Sequence, residues 1–134
     1  MAEREAVFPA GRQDLYTINK YSAAIRSGDL LFVSGQVGSR EDGSPEPEPE
    51  QQVRRAFTNL LDVLAAAGCA FDDVVDCTLF IVDPEATMPH VFKVRDEFWG
   101  GEPYSNITVV GVTWLSGFSF EIKAIARIPE RSNG

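Results

Sequence analysis

The chain has 134 residues, with 12 Lys+Arg against 20 Asp+Glu and a formal charge of −8, which fits one domain spanning 1–134. That acidity argues against a surface for phosphate backbones, which needs clustered cations and counterion release. Two cysteines are too few for a disulfide framework, and one histidine, His90, leaves little from which to build a zinc site or a Ser-His-Asp scheme.

Residues 1–20 read as an N-terminal extension. Its opening MAEREAVFPAG lacks the basic-then-apolar build of a secretory signal. No apolar run in the chain reaches the roughly 18–20 residues of a membrane span. The expectation is a cytoplasmic protein with no metal, no cofactor, and no nucleic-acid or membrane partner.

In Ala23–Gln36 the turn signal Ser27-Gly28-Asp29 separates Ile25 from the run Leu30-Leu31-Phe32-Val33, which predicts two short strands and a tight turn. The second strand ends at Ser34-Gly35-Gln36, where glycine permits a bulge or a close backbone approach. Residues 40–50, REDGSPEPEPE, hold five acidic residues, one basic residue and three prolines, so they predict an extended solvated loop.

Val53, Phe57, Leu60, Leu61 and Leu64 fall at offsets 0, 4, 7, 8 and 11, one apolar stripe of a helix that Gly68 ends. Val74–Val82 is rich in β-branched and aromatic residues and predicts a strand, with Val75, Cys77, Leu79 and Ile81 on one face. Cys77 then belongs to the core. A second helix is expected over about Met88–Phe98, and two more strands over Ser105–Val112 and Ser119–Ile128. The order β-β-α-β-α-β-β places two helices against one mixed sheet, a two-layer α+β domain.

Few residues are candidates for chemistry. Glu121 interrupts an apolar strand and would be costly to bury unpaired. A partly desolvated glutamate can orient water or trade protons. Pattern alone favours the plainer alternative, an outer-face partner of Lys123. Ser34 and Gly35 offer a hydroxyl and an approachable backbone suited to an anionic ligand, or simply a bulge. Tyr21, Tyr104 and Asn106 fall at strand ends.

Taken together, Tyr21-Ser22-Ala23-Ala24, Gly28-Asp29-Leu30-Leu31-Phe32-Val33-Ser34-Gly35-Gln36, Ala65-Ala66-Ala67-Gly68, Asp72-Asp73-Val74-Val75 and Phe120-Glu121-Ile122-Lys123-Ala124-Ile125-Ala126 resemble the RidA (YjgF, endoribonuclease L-PSP-like) family in order and spacing. The resemblance implies a chorismate-mutase-like fold, a homotrimer whose sheets close a trimeric barrel, and small-molecule clefts between subunits. It also implies hydrolysis of enamines and imines to the oxo acid and ammonia, without a cofactor. Carried over by position, Glu121 orients water, and Tyr21, Ser34 and Gly35 complete the cleft.

The family's substrate-binding arginine falls at Ser105 or Asn106, and Pro103–Phe120 holds no Arg or Lys. This marks a divergent branch. Expected here are weak anion binding and a neutral or larger ligand that reaches Trp114 or Phe118. Three functions stay open: a hydrolase or deaminase of altered specificity, a non-catalytic ligand-binding or regulatory trimer, and, disfavoured by charge, an endoribonuclease or translation inhibitor.

Overall fold

Glycine sets the first hairpin. Gly28 has φ +63°, and with Asp29 it forms a two-residue turn between the paired residues Ser27 and Leu30. The hairpin belongs to a computed structural model that describes residues 4–130. Its elements are β1 (Glu5–Val7), α1 (Gln13–Thr17), β2 (Ala24–Ser27), β3 (Leu30–Val37), α2 (Pro49–Ala66), β4 (Val74–Val82), α3 (Pro84–Phe98), β5 (Asn106–Val112) and β6 (Phe120–Arg127).

The six strands form one mixed sheet in the order β1-β2-β3-β6-β4-β5. Only β4 and β5 run parallel, joined through α3; the other neighbours are antiparallel. The last strand in sequence thus lies between β3 and β4.

The core fills the space between the helices and one sheet face. From α2 come the buried Val53, Phe57, Leu60, Val63 and Leu64, and from α3 Val91 and Val94. The sheet supplies Leu31, Val33, Cys77, Ile81, Phe120 and Ile122. Burying a side chain of this size stabilises by about 1.5–3 kcal/mol. Phe57 lies at the centre, stacked with Phe98 at 5.4 Å and Phe120 at 5.8 Å. Beyond α2, Gly68 takes φ +79°, the left-handed conformation that stops a helix.

The structure departs from the sequence-based expectations in four places. The largest correction concerns the trimeric barrel. Among the described residues the sheet is open, with β1 and β5 as separate edges and no pairing between them, so it closes no barrel. Inserting β6 centrally and adding β5 in parallel extends the sheet outward instead.

Second, the presumed N-terminal extension contains ordered structure. β1 pairs with β2, and Tyr16 of α1 is buried. Third, α3 starts at Pro84, four residues before the predicted Met88, because Pro84 at the first helical turn needs no N–H partner. Fourth, a bulge between Val74 and Asp76 puts Val74 in the core and leaves Val75 exposed, reversing the predicted face for Val75 alone.

Candidate functional site

A second bulge, between Val33 and Gln36 of β3, shapes the site. Three steps along β3 there match two along β6, from Ala124 to Ile122. Gln36 is thereby turned inward and is 3% exposed, while Gly35 is left beside Glu121. A Cβ built on Gly35 would lie 2.5 Å from Cδ and Oε2 of Glu121. The carboxylate occupies the space that any other residue at position 35 would fill.

Glu121 alternates out of the core on β6, level with Val37 of β3 and Phe80 of β4. Burial among such neighbours pushes its carboxyl above the usual carboxylate range, and the positive charge of Lys123 partly offsets this. The expected Lys123 ion pair does not form, since Lys123 Nζ instead donates to the Val33 carbonyl at 3.4 Å. Among the described residues Glu121 enters no ion pair.

In front of Glu121 lies a cavity of about 550 Å³. Tyr21, Gly35, Trp114 and Glu121 of the sequence-derived candidates all line it. Ser34 lies behind, its hydroxyl donating to the Ser22 carbonyl at 2.7 Å. Tyr21 packs edge-on against Tyr16 at 5.0 Å, and burial raises its phenol pKa, with smaller contributions from Tyr16 and Glu121. Trp114 is 72% exposed at the rim.

Within one copy, Ser105 and Asn106 do not line this cavity. Ser105 directly precedes β5 and Asn106 opens it, and β4 separates β5 from β6. Ser105 Oγ donates to the Val74 carbonyl at 2.6 Å, and Asn106 Nδ2 donates to Asp76 Oδ1 at 2.7 Å. The position implied for the arginine thus carries an amide engaged with a carboxylate. The other cations at first sight available are also elsewhere. Arg127 pairs with Asp29 at 2.7 Å, and Arg95 lines a separate cavity with Trp99 and Tyr104.

The lining residues that escaped the sequence reading include three that carry polar groups onto the cavity wall. Tyr16 donates to Gln36 Oε1 at 3.2 Å, and Gln36 Nε2 donates to the Ser34 carbonyl at 3.0 Å, a polar chain along the cavity floor. The third is Arg12. Gln36 could have been noticed as a polar residue ending an apolar run. Tyr16 and Arg12 had no signal, because the stretch that holds them has too short a period to read. Among the described residues no three His, Cys, Asp or Glu side chains cluster to hold a metal, and no helix is long and apolar enough to cross a membrane.

Fold and site together define a polar cavity on an open α+β sheet, and the family follows from a match to the endoribonuclease L-PSP model over residues 11–128. The chain belongs to that family, the RidA (YjgF) group that its motifs resemble. RutC family protein YjgH of Escherichia coli K12 is 65% identical to it, across 98% of this chain and 100% of the relative. A solved structure of protein YJGH matches with a TM-score of 0.91 and 65% identity, covering 96% of this chain and 99% of its own. The 2-iminobutanoate/2-iminopropanoate deaminase of Mus musculus is 35% identical, across 81% of this chain and 82% of the mouse protein.

Proposed function

We propose that this protein is a hydrolase of imine- or enamine-bearing metabolites with a specificity different from that of the 2-iminopropanoate deaminases. The observation that carries the reading is the Glu121 carboxylate, half-buried on Gly35, without an ion-pair partner and with its proton affinity raised by burial. A carboxyl whose proton affinity is raised by burial can take a proton from water and return it.

Water adds to the imine carbon as Glu121 takes one of its protons, and the C=N π electrons move to nitrogen. Glu121 then returns the proton to that nitrogen to give the carbinolamine; a second proton passes from its hydroxyl through Glu121 to the nitrogen, the C–N bond breaks as the C=O bond forms, and ammonia leaves an oxo product. Tyr21 and the Gly35 backbone shape the cleft around the reacting carbon. No cofactor enters this scheme, and the cytoplasm is the compartment proposed.

Altered specificity is supported by Asn106 in place of a cation and by Asp76 beside it. Those two residues equally favour the second reading, a non-catalytic ligand-binding trimer. We also infer a homotrimer in which each copy keeps its open sheet and a neighbour faces the cavity. The support is β5, a free edge strand whose Ile107 and Val109 are 39% and 47% exposed.

The test is a coupled assay in which an amino-acid oxidase generates a range of imino acids and release of the oxo acid is followed. Catalysed release that is lost in Glu121→Gln supports the hydrolase. No acceleration across the range favours the binding protein.

A further inference from the structure

Tyr16 is buried on the cavity wall and braces two of the residues that face Glu121 there. Its ring meets that of Tyr21 edge-on at 5.0 Å, and its carbonyl accepts the Tyr21 N–H at 3.2 Å. Lys20, with φ +61°, makes the turn that brings Tyr21 back onto it. On its other side the Tyr16 hydroxyl donates to Gln36 Oε1 at 3.2 Å, a buried bond between α1 and β3.

Gln36 in turn spans the bulge. Its Nε2 donates back to the Ser34 carbonyl at 3.0 Å, closing a ring around Gly35. The Ser34 N–H and hydroxyl are fixed to the Ala23 and Ser22 carbonyls at 2.8 and 2.7 Å. Gly35 is thus held through both chain neighbours, with the Glu121 carboxylate in the space where its Cβ would be. A buried amide loses its hydration and needs partners, whereas an apolar side chain at position 36 would fill the core without them. The amide stands where it fixes the backbone beneath the carboxylate.

We propose that Tyr16 and Gln36 are positioning residues for Glu121: the hydroxyl–amide pair fixes the bulge, the bulge fixes Gly35, and Gly35 sets how deep the carboxylate sits beside Tyr21. This deepens the hydrolase reading and rests on it for what the carboxylate does, though not for where it sits. Without the Tyr16 hydroxyl, Gln36 Oε1 loses its donor, the bulge relaxes, and water reaches a carboxyl whose proton affinity burial now raises. The charged and titratable groups around that carboxyl are Lys123 on β6, Tyr16 in α1, Tyr21 ahead of β2 and Arg12 ahead of α1. Beside it β3 and β4 present the apolar Val37 and Phe80.

Tyr16→Phe keeps the ring on Tyr21 and removes only the donor. Carbon-13 NMR of the glutamate carboxyls on the full chain follows the titration of Glu121, its resonance assigned by its loss in Glu121→Gln. In Tyr16→Phe and Gln36→Leu that carboxyl should titrate lower by on the order of half a pH unit or more, towards the ordinary carboxylate range. Val94→Ala, a core truncation on α3 away from the cavity, should leave the titration in place even where its Tm falls as far. With imino acids from the coupled assay as probes, kcat in Tyr16→Phe should fall about tenfold while KM stays within about twofold of the parent. The double variant should lose little beyond Gln36→Leu, because the two side chains act as one unit.

An unchanged Glu121 titration would overturn the proposal, as would a shift no larger than that in Val94→Ala, or losses in kcat that simply add. Should Gln36→Leu not fold, Tyr16→Phe alone decides. The titration needs no turnover, so the two readings fail separately. A titration moved by Tyr16→Phe in a protein that hydrolyses no imino acid keeps the positioning role and removes the hydrolase. Hydrolysis by a parent whose Glu121 titration ignores both residues does the reverse.

Discussion

At the scale of single residues, the contact between Gly35 and Glu121 separates positioning from folding. In Gly35→Ala the new Cβ must displace the carboxylate, which is the far end of a flexible side chain. The stability loss should therefore stay at or below the ~1–3 kcal/mol of ordinary overpacking. Turnover should fall much further, because Glu121 is re-aimed. Thermal melts beside the coupled assay check this, and equal loss in both would show that Glu121 is merely packed.

Glu121 also gives a pH signature. Burial raises its folded-state pKa, so across a window above the ordinary carboxylate value the native chain holds more protons than the unfolded one. Stability therefore falls as pH rises through that window. Glu121→Gln removes the effect. The variant's Tm should match the parent in acid and exceed it above the window, and a pH-independent difference would contradict this assignment.

Asn106→Arg would appear to install the missing cation, but Asp76 is 2.7 Å from the Asn106 amide and would pair with it. Little gain in 2-iminopropanoate hydrolysis is expected from that variant alone. In the proposed trimer, where a neighbour faces the cavity, Asn106→Arg combined with Asp76→Asn should gain more, measured as kcat/KM in the same assay.

At the scale of elements, α2 fastens the loop that borders the cavity as well as building the core. Asn59 is 3% exposed, and its Nδ2 donates to the Val37 carbonyl at 2.9 Å and the Ser39 carbonyl at 3.0 Å. Gln52 bridges similarly, donating to the Glu46 carbonyl at 3.1 Å and accepting from the Ser119 N–H at 2.6 Å. Asn59→Leu removes the side-chain donor to the Val37 carbonyl and one of three to the Ser39 carbonyl, and should cost about 1–3 kcal/mol. Denaturant unfolding measures the loss. By contrast, the Arg54–Glu97 and Lys93–Glu50 pairs that tie α2 to α3 are solvent-screened and matter little.

At the scale of the molecule, the free edge at β5 argues for association. Edge strands with apolar side chains and unpaired backbone groups are covered or paired in stable proteins. Light scattering should return about three times 14.7 kDa. Val109→Lys places a charge on the exposed edge and should shift the mass towards one copy with an unchanged far-UV spectrum. An unaltered mass would move the interface elsewhere.

Local periodicity was enough to find most of the elements. The stripe of α2, the limits of β4 and the alternating faces of β6 are all legible because a helix or strand repeats its burial within a few residues. Glu121, Tyr21, Gly35 and Trp114 were likewise legible as candidates, through motif spacing. Only the tertiary structure decided that β6 lies between β3 and β4, that the sheet stays open, and that Ser105 and Asn106 lie away from the cavity. It alone brought Arg12, Tyr16 and Gln36 to Glu121. The physical reason is that strand order and the two bulges depend on pairing between segments far apart in the chain. Arg12 and Glu121 are more than a hundred residues apart in sequence and share a cavity only after the sheet has formed.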